Sequence, residues 1–304
     1  MRSTQTPARM PDAPTRTALV FGASGQIGEA LLARLAGGGW QAFAVSRVPR
    51  PPAGGVTWLT GEFANVGGLP EAVDVVFSTG PLDGFAQWYA RGQVATRRVV
   101  AFGSTSLDTK QASADAYERD IVARLQVAER LVFDTASTNG AAATVLRPTL
   151  VYGAGRDQTL ARIAAMGRRM GFFVLPRGAN GKRQPVHVDD LAHAALAVVD
   201  APATDGKAYA LPGGETLAYR DMVARTLAAL DPPAKLWEVP MPVFRTALWL
   251  ARKAGMMRGL TDDAVARMRE DLVFDASPAW RDFGYAPRPF EPDAKAVRRQ
   301  CVGG

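Results

Sequence analysis

The stretch Thr17-Ala18-Leu19-Val20-Phe21-Gly22-Ala23-Ser24-Gly25-Gln26-Ile27-Gly28 decides the fold. Residues 18–21 form an apolar run stopped by Gly22, which reads as a short buried strand. Ile27, Ala30, Leu31 and Leu35 then recur at helical spacing and give the next segment one apolar face. Gly37, Gly38 and Gly39 end that helix. The turn between strand and helix has the spacing G-x-x-G-x-x-G. Glycines there let the backbone turn sharply and approach a pyrophosphate. The helix N-terminus adds unpaired N–H groups and a partial positive charge. The commonest dinucleotide loop is G-x-G-x-x-G, so the position between an apolar strand and an amphipathic helix carries this reading.

Working outward, residues 41–46, 73–77, 98–102 and 143–146 read as further strands. Helical segments lie between and after them, notably 114–133 and 187–199. The alternation predicts an α/β protein with a doubly wound, Rossmann-like parallel sheet covered on both faces. Composition changes after Tyr152, where Gly, Pro and basic residues thicken. The expected organisation is a flexible tail (1–16) and a dinucleotide-binding domain (17–152), to which helix 187–199 returns. A smaller C-terminal substrate lobe is expected from 153–186 and 200–304.

Composition narrows the function classes. The chain has 304 residues, 47% hydrophobic, with 36 Lys+Arg against 29 Asp+Glu and a net charge of +7. Such an apolar fraction excludes wholesale disorder. Cys301 is the only cysteine, which excludes internal disulfides and thiolate clusters. His187 and His193 are six residues apart and off a common helix face, so no metal site is expected. No apolar run is long enough to span a bilayer, and the N-terminus lacks the apolar core of a secretory signal. A cytoplasmic protein is expected.

The positive charge points to an anionic partner. Between residues 158 and 186 lie Arg162, Arg168, Arg169, Arg177, Lys182 and Arg183, with no Asp or Glu. No basic cluster interleaved with aromatics marks a nucleic-acid module, so no nucleic-acid partner is expected. The segment 242–257 mixes Phe244, Leu248, Trp249 and Leu250 with Arg245, Arg252 and Lys253. It reads as a helix packing its apolar side on the domain, with peripheral membrane contact the lesser alternative. At the end of the second strand, Ser46-Arg47 stands where an NAD site would place an acid for the ribose 2′-hydroxyl. A cation suits a 2′-phosphate, so NADP(H) is favoured over NAD(H), with Arg50 nearby.

Three motifs together resemble the short-chain dehydrogenase/reductase superfamily, in its extended NAD(P)-dependent epimerase/dehydratase branch acting on nucleotide sugars. The first is the loop 22–28. The second is Leu146-Arg147-Pro148-Thr149-Leu150-Val151-Tyr152-Gly153. The third is Arg183-Gln184-Pro185-Val186-His187-Val188-Asp189-Asp190. The resemblance implies cofactor contacts from Gly22, Ser24, Gly25, Gln26, Ile27, Gly28, Arg47 and Thr79. It implies that Arg183, with Arg156, binds a nucleotide sugar or other anionic small molecule, and that helices near 85–94 and 114–133 pair in a homodimer. It makes Thr105 the catalytic hydroxyl, with Ser104 beside it. His187 and Asp189 read as structural, Asp189 capping the helix that starts there.

The resemblance fails at the proton relay. The family uses Tyr-x-x-x-Lys one helical turn apart, a phenolate beside an ammonium. Anchoring on Glu129 puts Ile121 at the tyrosine and Leu125 at the lysine, and neither exchanges protons. Tyr117 starts no better pair, Arg124 is a fixed charge, and Lys110 lacks the spacing. Three readings stay open. Tyr152 or Tyr89 replaces the relay, the mechanism is atypical, or the protein is a non-catalytic NADP(H)-binding sensor or assembly protein.

Overall fold

The computed structural model describes residues 15–52, 54–109, 115–157, 159–253 and 262–292. Most of the expected tail, Lys110, the end of the segment 242–257 and Cys301 lie outside the described residues. The chain opens with β1 (Thr17–Phe21), α1 (Gln26–Gly37), β2 (Gln41–Ser46), β3 (Val56–Glu62), β4 (Asn65–Val66) and β5 (Ala72–Ser78). It continues with α2 (Leu82–Tyr89), β6 (Ala95–Phe102), α3 (Ser106–Thr109), α4 (Ala116–Thr138) and β7 (Ala142–Pro148).

The central sheet has the order β12-β7-β6-β5-β1-β2-β3-β4, where β12 spans Lys207–Leu211. All its pairs are parallel except β3–β4. Strand order reverses beside β1, since β2 lies on one side and β5 on the other. The carboxyl ends of β1 and β5 therefore flank the crevice where open α/β sheets bind ligands.

Side-chain alternation along β1 builds both cores. Ala18 and Val20 pack with Leu31 and Leu35 of α1 and with Leu191 and Ala195 of α6 (Val188–Ala197). Leu19 and Phe21 pack with Phe85 and Trp88 of α2 and Val132 of α4. The helix expected over 187–199 is α6, followed by a 3₁₀ turn at Val198–Asp200, and it lies against α1.

Of the longer strands of the central sheet, β3 and β12 were not legible in the sequence. β3 follows a link in which no described residue is helical. Arginine–indole contacts cover this end of the sheet, Arg16 over Trp40 at 4.2 Å and Arg50 over Trp58 at 5.0 Å. β12, expected inside the second lobe, pairs with β7. Its Tyr209 and Leu211 are buried in the first core, and that packing overrides an Ala-rich, weakly strand-forming sequence.

The smaller lobe contains α5 (Leu160–Met170), β9 (Phe172–Pro176), β10 (Lys182–Arg183), β13 (Leu217–Ala218), α7 (Tyr219–Ala228), β14 (Lys235–Val239), α8 (Met241–Lys253) and α9 (Asp262–Arg267). Its core joins Leu160, Ile163, Leu175, Met222, Leu227 and Phe290. The α5–α7 approach requires Gly167, where a Cβ would fall 2.6 Å from Leu227 Cδ2. The pair β8 (Val151–Tyr152) and β11 (Val186–His187) ties the lobe to the main domain. So does the chain after α10 (Ser277–Phe283), which buries Tyr285 in the first core and Phe290 in the lobe.

At the amino ends of the strands, the buried Arg98 guanidinium donates to the Thr144 and Thr204 hydroxyls and to the Val198 carbonyl. It thereby fastens β6 to β7 and to the turn after α6. Arg98→Ala removes all three of these buried, charge-assisted hydrogen bonds. It should lower unfolding free energy by about 3 kcal/mol, read by denaturant titration; a loss below about 1 kcal/mol would contradict this role.

Candidate functional site

The glycine loop is forced by close backbone approach. Gly22 has φ +70°, and a Cβ there would lie 2.5 Å from Gly80 N. A Cβ on Gly28 would lie 2.3 Å from Gly22 O. The Gly25 N–H donates to that same carbonyl at 2.8 Å, and the Thr79 hydroxyl donates to it at 2.9 Å. No side chain caps the start of α1, so its first N–H groups remain available to a ligand.

The loop borders a cleft of about 590 Å³ at the carboxyl ends of β1, β2, β3 and β5. Gly22, Ser24, Gly25, Arg47 and Thr79, all expected on the cofactor side, line it together. Arg47 is exposed at the rim. Gln26 and Ile27 start α1. Ile27 is buried in the first core, and Gln26 Oε1 is buried with no partner among the described residues. A glycine cradle, an uncapped helix start and an orphaned acceptor fit a phosphorylated dinucleotide.

The far wall was missed by sequence reasoning. It is built by Gly61, Glu62, Phe63, Gln87 and Arg91. Phe63 stacks on Phe21 at 5.0 Å over Gly84, where a Cβ would fall 2.8 Å from the ring. Arg91 donates to the Ala64 carbonyl at 3.2 Å. The available signal was Gly61-Glu62-Phe63 closing the unrecognised β3.

The hydroxyl loop follows β6. Its Gly103 N–H donates to Leu146 O at 2.8 Å. Thr105 is buried and its hydroxyl donates to Pro148 O at 3.1 Å. Ser104 Oγ accepts from the Ser106 N–H at 3.1 Å, which leaves its own proton to give. Of the two hydroxyls, that of Thr105 donates to a carbonyl while that of Ser104 accepts a backbone N–H.

Beside this loop, Glu129 of α4 forms a two-pronged ion pair with Arg147 of β7, Nε to Oε1 at 2.9 Å. Arg147 also reaches Asp108 at 3.3 Å. Ile121 and Leu125 are half-buried on α4, and Tyr117 is exposed. Arg124 is engaged with Asp120 at 3.0 Å and Asp83 at 3.6 Å. The two phenols weighed as substitutes are both buried. Tyr152 donates to Pro289 O and accepts from the Glu291 N–H, each at 3.3 Å. Tyr89 packs among α2 rings, 5.9 Å from Phe85. Burial pushes both phenols above their ordinary range, the opposite of what a phenolate relay needs.

The remaining expected residues take other positions. Arg156 donates to Ser24 O at 2.8 Å and pairs with Glu29 at 3.1 Å. It thus stitches the lobe to the glycine loop. Arg183 is buried and donates to the carbonyls of Lys182, Arg267 and Glu270, with its guanidinium over Tyr219 at 5.4 Å. These three hydrogen bonds lie inside the lobe. Of the other cations between 158 and 186, Arg162, Arg168, Arg169, Arg177 and Lys182 are exposed. His187, not Asp189, caps α6, its Nδ1 accepting from the Asp189 N–H at 3.2 Å. Gly153 makes room for that imidazole. Among the described residues no His, Cys, Asp and Glu side chains form a metal-binding group, and no helix is long and apolar enough to cross a membrane.

Residues 122–211 match the family model "NAD dependent epimerase/dehydratase family". The chain is 27% identical to the 2-alkyl-3-oxoalkanoate reductase of Stenotrophomonas maltophilia (strain K279a), over 89% of this chain and 94% of the relative. It is 25% identical to the UDP-glucose 4-epimerase of Vibrio cholerae, over 53% of this chain and 46% of that protein. Among solved structures, MoeE5 in complex with UDP-glucuronic acid and NAD has the same fold. It superposes with a TM-score of 0.64 at 18% identity, over 90% of this chain and 94% of that one. The family model thus matches residues 122–211, and the likeness to the solved structure shows a shared fold over most of the chain.

Proposed function

We propose that the chain binds NADP(H) in the cleft and uses it to reduce or oxidise a carbonyl carbon of a small anionic metabolite. The observation that carries this is the glycine cradle opening on a cleft with Arg47 at its rim. The N–H groups at the start of α1 would hold the diphosphate, and Arg47 the 2′-phosphate. NADP(H), when bound, supplies or accepts the hydride. Ser104 donates a hydrogen bond to the reacting oxygen, while Thr105 fixes the loop on Pro148 O. The alignment over most of its length with a protein named as a reductase supports carbonyl reduction. A nucleotide sugar remains the substrate class suggested by the motifs. With Arg183 donating to three carbonyls inside the lobe, other cations would help to meet its anion. A homodimer through the α2–α4 face completes the proposal.

One observation favours a second reading, NADP(H) binding without turnover. Ile121 and Leu125 stand at the relay positions, and burial pushes the pKa of the two candidate phenols upward rather than toward a phenolate.

Gly25→Trp places an indole at the cleft, with its Cβ 3.0 Å from the Gly22 carbonyl oxygen. It should abolish NADPH-induced thermal stabilisation, measured relative to the variant's own ligand-free unfolding temperature. Arg47→Ala should cut the preference for NADPH over NADH by about tenfold or more, as loss of a charge-assisted contact predicts; an unchanged ratio of dissociation constants refutes the role. Ser104→Ala should cost about tenfold or more in NADPH oxidation with a responsive carbonyl substrate, with NADPH affinity unchanged. If the wild-type protein binds NADPH yet oxidises it with no carbonyl in a broad panel, the second reading stands.

A further inference from the structure

α8 buries one apolar stripe and leaves another in water. Phe244 and Leu248, four residues apart, pack on Val174, Val239 and Val265. Val243, Trp249 and Leu250 face away and are 54%, 54% and 56% exposed. Beneath α8, the parallel pair β9–β14 stacks Phe172 on Trp237 with centroids 4.2 Å apart, and Trp237 is half exposed. Alternation puts residues 172, 174, 237 and 239 on one sheet face. The exposed stack thus continues the face that α8 covers.

The surrounding charge has one sign. Arg245 lies one helical turn before Trp249 and is exposed. The Lys253 ammonium sits 4.1 Å over the Trp249 ring. Lys235 stands opposite Phe172 in the strand register, and exposed Arg169 belongs to the last turn of α5, just before it. Glu238 is the only acid from 232 to 253, and it pairs with Arg220 at 2.9 Å.

We propose that this face docks on an anionic lipid surface. Trp249, Leu250 and Val243 enter the boundary between headgroups and acyl chains, and Arg245, Lys253, Lys235 and Arg169 meet lipid phosphates. A helix with tryptophan and aliphatic side chains outward and flanking cations is the chemistry of an interfacial helix, whereas an ordinary surface helix turns polar residues outward. The lysine stem lying along the indole lets the ammonium reach toward headgroups as the ring descends. The contact is superficial, since no described helix can span a bilayer. It does not depend on the cofactor cleft.

The test is co-sedimentation of the full chain with phosphatidylcholine vesicles, with and without phosphatidylserine. Binding is expected to the anionic vesicles only and to fall as salt shortens the Debye length. Arg245→Gln and Lys253→Gln should each weaken it by about fivefold. The double variant Trp249→Ser with Leu250→Ser should weaken it at least as much, without changing thermal unfolding, because both residues are exposed. A wild-type chain that stays in the supernatant with both vesicle types overturns the proposal, as does full binding by the Trp249/Leu250 variant. Concentration-dependent dimerisation that this variant abolishes, with no vesicle binding, would instead make the face a self-association surface.

Discussion

The backbone carbonyl of Gly22 is the point on which the domain turns. It ends β1 and accepts from the Gly25 N–H and the Thr79 hydroxyl. Gly28 packs against it so closely that a methyl group would not fit. These contacts fix the direction in which α1 leaves the sheet and hold the end of β5 against the end of β1. The crevice is therefore opened by the geometry of one peptide group. An N–H-rich helix start faces it because the chain has no other way out of β1.

Most of this was legible. β1, β2, β5, β6 and β7 are apolar runs bounded by Gly or polar turns, and α1, α4 and α6 carry clear helical periodicity. β3 and β12 were not legible. β3 alternates imperfectly and ends in Gly61-Glu62-Phe63, and β12 is a five-residue edge strand rich in alanine. Both are strands because a neighbour already in the sheet offers backbone partners and because Leu59, Tyr209 and Leu211 fill the two cores. Missing β3 also hid half the cleft. Gly22, Ser24 and Gly25, read from the loop, line the cleft because glycine spacing is a backbone constraint. Glu62, Gln87 and Arg91 enter the site only through tertiary packing.

Charge shows the same limit from another side. A sequence counts guanidinium groups but does not say which are buried. Arg98 and Arg183 are buried on hydroxyls and backbone carbonyls. Arg147 is paired with Glu129. Because guanidinium does not give up its proton on burial, each such arginine acts as a permanent multi-donor clamp between elements. Arg98 joins β6 to β7. Arg183 joins β10 to the turn after α9, and Arg156 joins the lobe to the glycine loop. The excess positive charge read from composition is therefore partly architectural, and only its exposed remainder is available to anions.

The helix α4 separates folding from chemistry. Its buried residues, Val122, Ala128, Glu129, Val132 and Ala136, hold it to the sheet and, through Glu129, to Arg147. Ile121 and Leu125 are half-buried beside them, and Leu125 packs against the same core. Apolar side chains at these two positions are compatible with the packing of α4 and with its Glu129–Arg147 ion pair. The loop after β6, next to this helix, presents hydroxyl side chains. There the Ser104 hydroxyl is oriented by the Ser106 N–H and stands free to donate.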